Sequence, residues 1–174
     1  RRENWGPELG QVLTALIRLR DRVSDIEIVF VAHANPALRD RVHAALDNQA
    51  RIRVADPLDY LNFLALLKSA TLMLSDSGGV QEEAPVLGVP VLVLRDTTER
   101  AEAVEAGVAR LVGTRTTDVV EAAATLLTRE AERMEMVRSI SPFGDGFAAN
   151  RIADVIARWR TSRPLGGEQI RAAV

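Results

Sequence analysis

Thr71-Leu-Met-Leu-Ser-Asp-Ser-Gly-Gly-Val-Gln-Glu-Glu-Ala-Pro85 is the stretch that decides the fold. Thr71 to Leu74 reads as a buried central strand, a glycine pair follows, and a helix is predicted over 80–87 with two acids, Glu82 and Glu83, in its opening turn. A strand running through glycines into a helix is the junction of an α/β unit, and it is also a cradle for an anion. Residues without Cβ let backbone N–H groups approach a phosphate closely. The helix start adds unsatisfied donors and the positive end of its dipole.

On either side the apolar pattern keeps switching period. Leu9, Val12, Leu13, Leu16, Ile17 and Leu19 lie at helical spacing, and Ile26-Glu-Ile-Val-Phe-Val31 follows as a strand. A helix is predicted over 37–46, with Asn35 as N-cap and Pro36 in the first helical position, where its missing N–H costs nothing. Strand 51–54 and helix 58–69 then lead to the opening stretch. Beyond it, Pro85 should bend or divide its helix, and Gly88 should end it. Strand 90–94, helix 99–106 closed by Gly107, strand 109–112 and helices over 117–127 and 130–137 follow. A turn-rich loop at 141–146 precedes a last helix over 147–159. Such alternation argues for a parallel sheet in a doubly wound, Rossmann-like α/β fold, with one domain over residues 1–160 and a loose tail over 161–174.

Composition excludes several function classes. The chain has 174 residues, 47% of them apolar, enough to bury a core of one ordinary domain. Its formal net charge is −2 with acids and bases interspersed, which offers no field for nucleic acid or an anionic membrane. Cysteine is absent, so disulfides, thiolate metal sites and cysteine nucleophiles are excluded, and a cytoplasmic location is the expectation. Two histidines, His33 and His43, are too few for a convincing metal site. No apolar run approaches the ~18 residues of a membrane span, and the N-terminal residues lack a signal-peptide core.

Ligands of open α/β sheets gather beyond the carboxyl ends of the strands, which points to loops 33–36, 75–79 and 95–100. The middle loop is chemically the richest. Gly78 and Gly79 can expose backbone donors, and Ser75 and Ser77 add hydroxyls. Ser-Gly-Gly alone is equally compatible with an ordinary tight turn. Of the two acids, one fits a dipole-favourable role at a helix start, while a carboxylate one turn away from a phosphate could accept both hydroxyls of a ribose. The pattern therefore suggests a nucleoside diphosphate lying across the helix start. No lysine follows the glycines as a P-loop requires, and no G-x-G-x-x-G follows the first strand, so ATP hydrolysis and dinucleotide chemistry lose support. Loop 95–100, Arg95-Asp-Thr-Thr-Glu-Arg100, is either a solvated loop with internal ion pairs or a substrate contact. Tyr60 and Phe63 at a helix start are core residues or, at a cleft edge, a platform for a base.

Together, Arg1-Arg-Glu-Asn4, His33-Ala-Asn-Pro36, the motif from Ser75 to Pro85, Gly88-Val-Pro-Val-Leu92, and Arg95 to Arg100 followed by Glu102-Ala and Gly107 resemble the C-terminal half of the non-hydrolysing UDP-N-acetylglucosamine 2-epimerases. The likeness runs to about Trp159. It implies a two-domain GT-B fold with the active site between Rossmann-like halves and UDP held mostly by this one. It further implies that Ser77, Gly78 and Gly79 contact the diphosphate, Glu83 the ribose and Phe63 the uracil region, with Ser75 also among the substrate-binding residues, and that Arg1 and His33 match a neighbouring regulatory site. The implied reaction interconverts UDP-N-acetylglucosamine and UDP-N-acetylmannosamine by eliminating and re-adding UDP, without metal or redox cofactor. The implied whole protein is a homodimer.

Two departures stand out. The family's histidine directly before Arg1 is absent, and so is the N-terminal domain with its acidic catalytic residues, so the chain alone is expected to be inactive. Ala34 and Ala101 stand where the family commonly has proline. A hydrolysing epimerase, another GT-B transferase and a stand-alone nucleotide-binding module share the same cradle and stay open at this level.

Overall fold

Alternating periods become alternating elements. The computed structural model describes residues 5–138 and 142–162. The elements run α1 (Pro7–Arg22), β1 (Ile28–Val31), α2 (Pro36–Leu46), β2 (Ile52–Ala55), α3 (Tyr60–Ser69), β3 (Met73–Ser75), α4 (Gly78–Val86), β4 (Val91–Val93), α5 (Ala101–Glu105), β5 (Ala109–Leu111), α6 (Thr116–Thr128), α7 (Glu130–Arg138) and α8 (Ala148–Ser162). Contacts divide the chain into two compact units, Arg1–Pro142 and Phe143–Val174, where the sequence suggested one body to residue 160.

Every strand pair in the first unit is parallel. Ile28 of β1 lies opposite Ile52 of β2, and in the other ladder Leu74 of β3 lies opposite Leu92 of β4, which lies opposite Arg110 of β5. Hydrogen bonding separates a two-stranded sheet, β1-β2, from a three-stranded one, β3-β4-β5, rather than forming one ladder. The strands are three or four residues long, so each ladder is short. A shared core links the two sheets instead. Ile28, Phe30 and Val54 of one and Leu74 of the other pack against Leu13, Leu16, Val42, Leu46 and Ile52.

The centre of the larger sheet is β4, not β3. Val91, Leu92 and Val93 are completely buried, whereas Met73 and Leu74 are half-buried because β3 has a ladder partner on one side alone. Helix α1 joins the layers. Its buried Val12, Leu13, Ala15, Leu16 and Leu19 form one broad apolar stripe. Leu19 meets Leu92 with Ala123, Ala124, Leu126 and Met136, while Val12 and Ala15 meet Leu94 with Val119 and Val120.

Several boundaries move for local reasons. Asp59 accepts the Asn62 N–H at 3.0 Å and starts α3 at Tyr60. Helix α4 begins at Gly78, two residues before the predicted start, and runs unbroken through Pro85, which falls in its last turn. Gly88, at φ 74°, turns the chain into β4 as expected. In the second unit α8 continues to Ser162, beyond the predicted end at Trp159, with Ile152, Val155, Ile156 and Trp159 exposed on it. The rest of the predicted tail, and Arg1, lie outside the described residues.

Candidate functional site

Parallel register brings two loops together. Ser75 ends β3 opposite Val93 near the end of β4, and the Leu94 N–H donates to the Ser75 carbonyl at 3.0 Å. Loops 75–79 and 95–100 therefore emerge side by side at the carboxyl ends of adjacent strands. This is where α/β proteins present ligand-binding groups.

Within the first loop the serines divide their work. Ser75 is buried, and its Oγ accepts the Ser77 N–H at 3.1 Å, so its hydroxyl shapes the loop from inside. Ser77 is exposed and occupies the N-cap of α4, a position where serine ordinarily bonds an N–H of the first turn, yet it makes no such bond. By contrast, Asn35 caps α2 through Ala37 at 3.0 Å and Leu38 at 3.4 Å, and Asp59 caps α3. Helices α2 and α3 are thus closed at their starts by side chains, whereas α4, like α1, α5 and α6, presents its opening N–H groups without a side-chain cap.

Of the glycines that follow, Gly79 is not demanded by the chain's own packing. Gly78 is buried and Gly79 exposed, and neither is among the positive-φ glycines. A Cβ built on Gly79 meets nothing within 4 Å. A glycine within a helix costs up to about 1 kcal/mol against alanine. What exposed Gly79 offers in return is close access to its backbone from outside.

The two acids separate in the structure. Both sit in the second turn of α4, because the helix starts at Gly78, so the dipole-favourable role expected for one of them applies to neither. Glu82 is ion-paired with Arg100 from the neighbouring loop. Glu83 is half-buried and enters no ion pair among the described residues, which leaves its carboxylate available. Phe63, half-buried on α3, is a turn beyond the Asp59 cap. The Asp59 carboxyl is held below its ordinary range, first by the Asn62 backbone N–H and then by the Asn62 side chain.

Loop 95–100 is split in purpose. Arg95 and Asp96 line a cavity of about 380 Å³ with Gly113, Arg115 and Asp118 at the ends of β4 and β5. Gly113 has φ 65°, and a Cβ there would stand 2.9 Å from Asp96 Oδ1. Thr98 and Arg100 instead bond residues of α4. The loop thus carries an internal ion pair, Arg95 with Glu99, as in its plain reading, while Arg100 pairs outward with Glu82 of α4. The cavity does not include residues 75–79.

His33 sits apart from this cluster in the sequence of elements, between β1 and α2. Its Nδ1 accepts the Asn35 N–H at 3.0 Å, which places the proton of the neutral ring on Nε2, and the ring meets Trp5 edge-on at 5.7 Å. Among the described residues no group of three or more His, Asp or Glu side chains is arranged to hold a metal ion, and no helix is long and apolar enough to cross a membrane.

Residues 1–157 match the family model described as UDP-N-acetylglucosamine 2-epimerase. The chain belongs to the UDP-N-acetylglucosamine 2-epimerase family. It is 45% identical over 162 residues to the Escherichia coli K12 UDP-N-acetylglucosamine 2-epimerase, covering 93% of this chain and 43% of that protein. It is 41% identical over 154 residues to the Bacillus subtilis enzyme of the same name, covering 88% and 40%. Among solved structures, S. aureus MnaA with UDP superposes with a TM-score of 0.87 at 40% identity, covering 92% of this chain and 44% of that one. The Neisseria meningitidis UDP-GlcNAc 2-epimerase bound to UDP-GlcNAc gives 0.86 at 37%, covering 91% and 43%. The chain therefore spans less than half the length of these epimerases and has the fold of one half of a GT-B-like architecture.

Sequence reasoning passed over Gln81 and Thr98. Gln81 has 0% exposure, and its side chain bridges Ser77 and Thr98. The available signal was a polar residue on the face of α4 that otherwise buries Val80 and Ala84.

Proposed function

We propose that this chain is the UDP-binding half of an epimerase that interconverts UDP-N-acetylglucosamine and UDP-N-acetylmannosamine. One observation carries the reading: a serine at the start of α4 that does not cap it, followed by a glycine pair with open space at Gly79, in a member of this family. Ser77, Gly78 and Gly79 receive the diphosphate, and Ser75 holds their loop in shape. Glu83 accepts the ribose hydroxyls as charge-assisted hydrogen bonds, and Phe63 packs against uracil.

In this scheme the bond from the anomeric carbon to the diphosphate breaks by elimination. Its electron pair leaves with UDP, and the C2 proton is removed. Re-addition of UDP, with the proton returned to the opposite face of C2, gives the epimer. Negative charge grows on the departing diphosphate, so backbone donors already aimed at it lower the barrier without reorganising. The residues that move the C2 proton belong to the other half of the protein, and the chain alone is inactive. The whole enzyme works as a cytoplasmic homodimer without metal or redox cofactor, and His33, with Arg1, belongs to a separate regulatory site for the same nucleotide sugar.

Calorimetric titration of the chain with UDP, UDP-N-acetylglucosamine and ADP tests the binding assignment. UDP and its sugar should bind and ADP should bind more weakly; no detectable UDP binding at millimolar concentration refutes it. For a full-length protein, NMR should detect UDP-N-acetylmannosamine, whereas release of free N-acetylmannosamine refutes reversible epimerisation.

A further inference from the structure

Gln81 makes no ligand contact in this scheme, yet its bonds run through the cradle. A completely buried primary amide is costly unless both its ends are satisfied. Here Nε2 donates to the Ser77 carbonyl at 3.2 Å and Oε1 accepts the Thr98 hydroxyl at 2.6 Å. Thr98 Oγ1 in turn accepts the Arg100 backbone N–H at 3.1 Å. Reversing the amide would set its oxygen against the Ser77 carbonyl, so the direction of the chain of bonds is determined.

The bond to Ser77 reaches the cradle through one rigid peptide. The carbonyl of Ser77 and the N–H of Gly78 belong to the same planar unit and point in opposite directions. Holding that carbonyl therefore aims that N–H. Glycine at 78 and 79 leaves the backbone there freer to rotate than any other residue would, which makes an external hold on the plane valuable. Donation to the carbonyl also polarises the peptide and strengthens its N–H as a donor.

We infer that Gln81 is a positioning residue for the diphosphate cradle, with Thr98 as the partner through which loop 95–100 supports it. The inference rests on the reading that α4 receives the diphosphate of UDP.

The test titrates the 174-residue chain with UDP and with uridine, which lacks phosphate, and follows amide shifts by NMR. Gln81→Met keeps the volume and removes both bonds, so UDP affinity should fall roughly tenfold while uridine affinity is unchanged. Thr98→Val should weaken UDP in the same direction, and Thr98→Ser, which keeps the hydroxyl, should restore it. Combining Gln81→Met with Thr98→Val should lower affinity by less than the product of the two single effects. If Gln81→Met binds UDP like the parent chain, or loses UDP and uridine by the same factor, the positioning role is overturned. Should Gln81→Met fail to fold, equal UDP affinities for the Val and Ser variants at Thr98 overturn it. A parent chain that binds no UDP refutes the site reading itself, a different result from a parent chain that binds while its variants match it.

Discussion

Replacing Gly79 with alanine should move stability and binding in opposite directions. The structure supplies the stability term: a Cβ at this position meets nothing within 4 Å, and the residue lies in the first turn of α4 outside the positive-φ region, so alanine fits without strain. Alanine reduces the freedom of the unfolded chain and favours helix, for a gain of about 0.5–1 kcal/mol. For a chain of this size that corresponds to a rise of about 1–4 °C in Tm. The binding term has the opposite sign. A phosphate oxygen accepting a backbone N–H lies about 2.9 Å from the nitrogen, and the new methyl group crowds that approach. A loss of at least about tenfold in UDP affinity, near 1.4 kcal/mol, is expected. Scanning calorimetry and isothermal titration on the same preparations measure the two terms. A Gly79→Ala chain that melts higher and binds UDP like the parent refutes the idea that the glycine is there for ligand approach. One that melts several degrees lower refutes the claim that its surroundings are open.

The two adjacent acids should behave differently: Glu83→Gln should weaken UDP more than Glu82→Gln in calorimetric titrations, because Glu82 is already engaged by Arg100, and equal losses would contradict the assignment. Leu92→Ala removes a completely buried side chain from the middle strand of the larger sheet and should lower stability by about 3–5 kcal/mol in urea unfolding, against less than ~1 kcal/mol for a surface change such as Arg53→Ala. Acid should loosen the start of α3. The Asp59 carboxyl is held below its ordinary value of 3.8, so its contribution is fully present above that pH and is lost as pH falls through the lowered value. Asp59→Asn, which keeps a capping oxygen, should flatten that part of the stability curve; an unchanged acid limb in pH-dependent thermal melts would contradict it.

Much of the architecture was legible because its signals are local. Period changes in hydrophobicity marked each strand and helix, and Asn35, Pro36 and Gly88 marked their ends through capping and φ preferences that need no distant partner. Boundaries were less legible where a glycine start lacks an apolar marker, as at Gly78, or where polar side chains extend a helix, as beyond Trp159. Ser75 and Ser77 looked alike in sequence, and burial alone distinguished the hydroxyl that braces the loop from the one at its surface.

By itself the sequence determined that parallel α/β units are present, that a glycine pair stands between a strand and a helix in one of them, and to which family the chain belongs. Tertiary structure alone decided that β4 rather than β3 is central, that Arg100 takes Glu82 and leaves Glu83, and that Gln81 joins Ser77 to Thr98, a residue seventeen positions further along. The reason is the range of the forces being read. Backbone preferences and hydrophobic period act over a few residues and are written in order along the chain. Which buried amide finds which hydroxyl depends on two strands lying side by side, and that neighbour relation exists only once the sheet has formed.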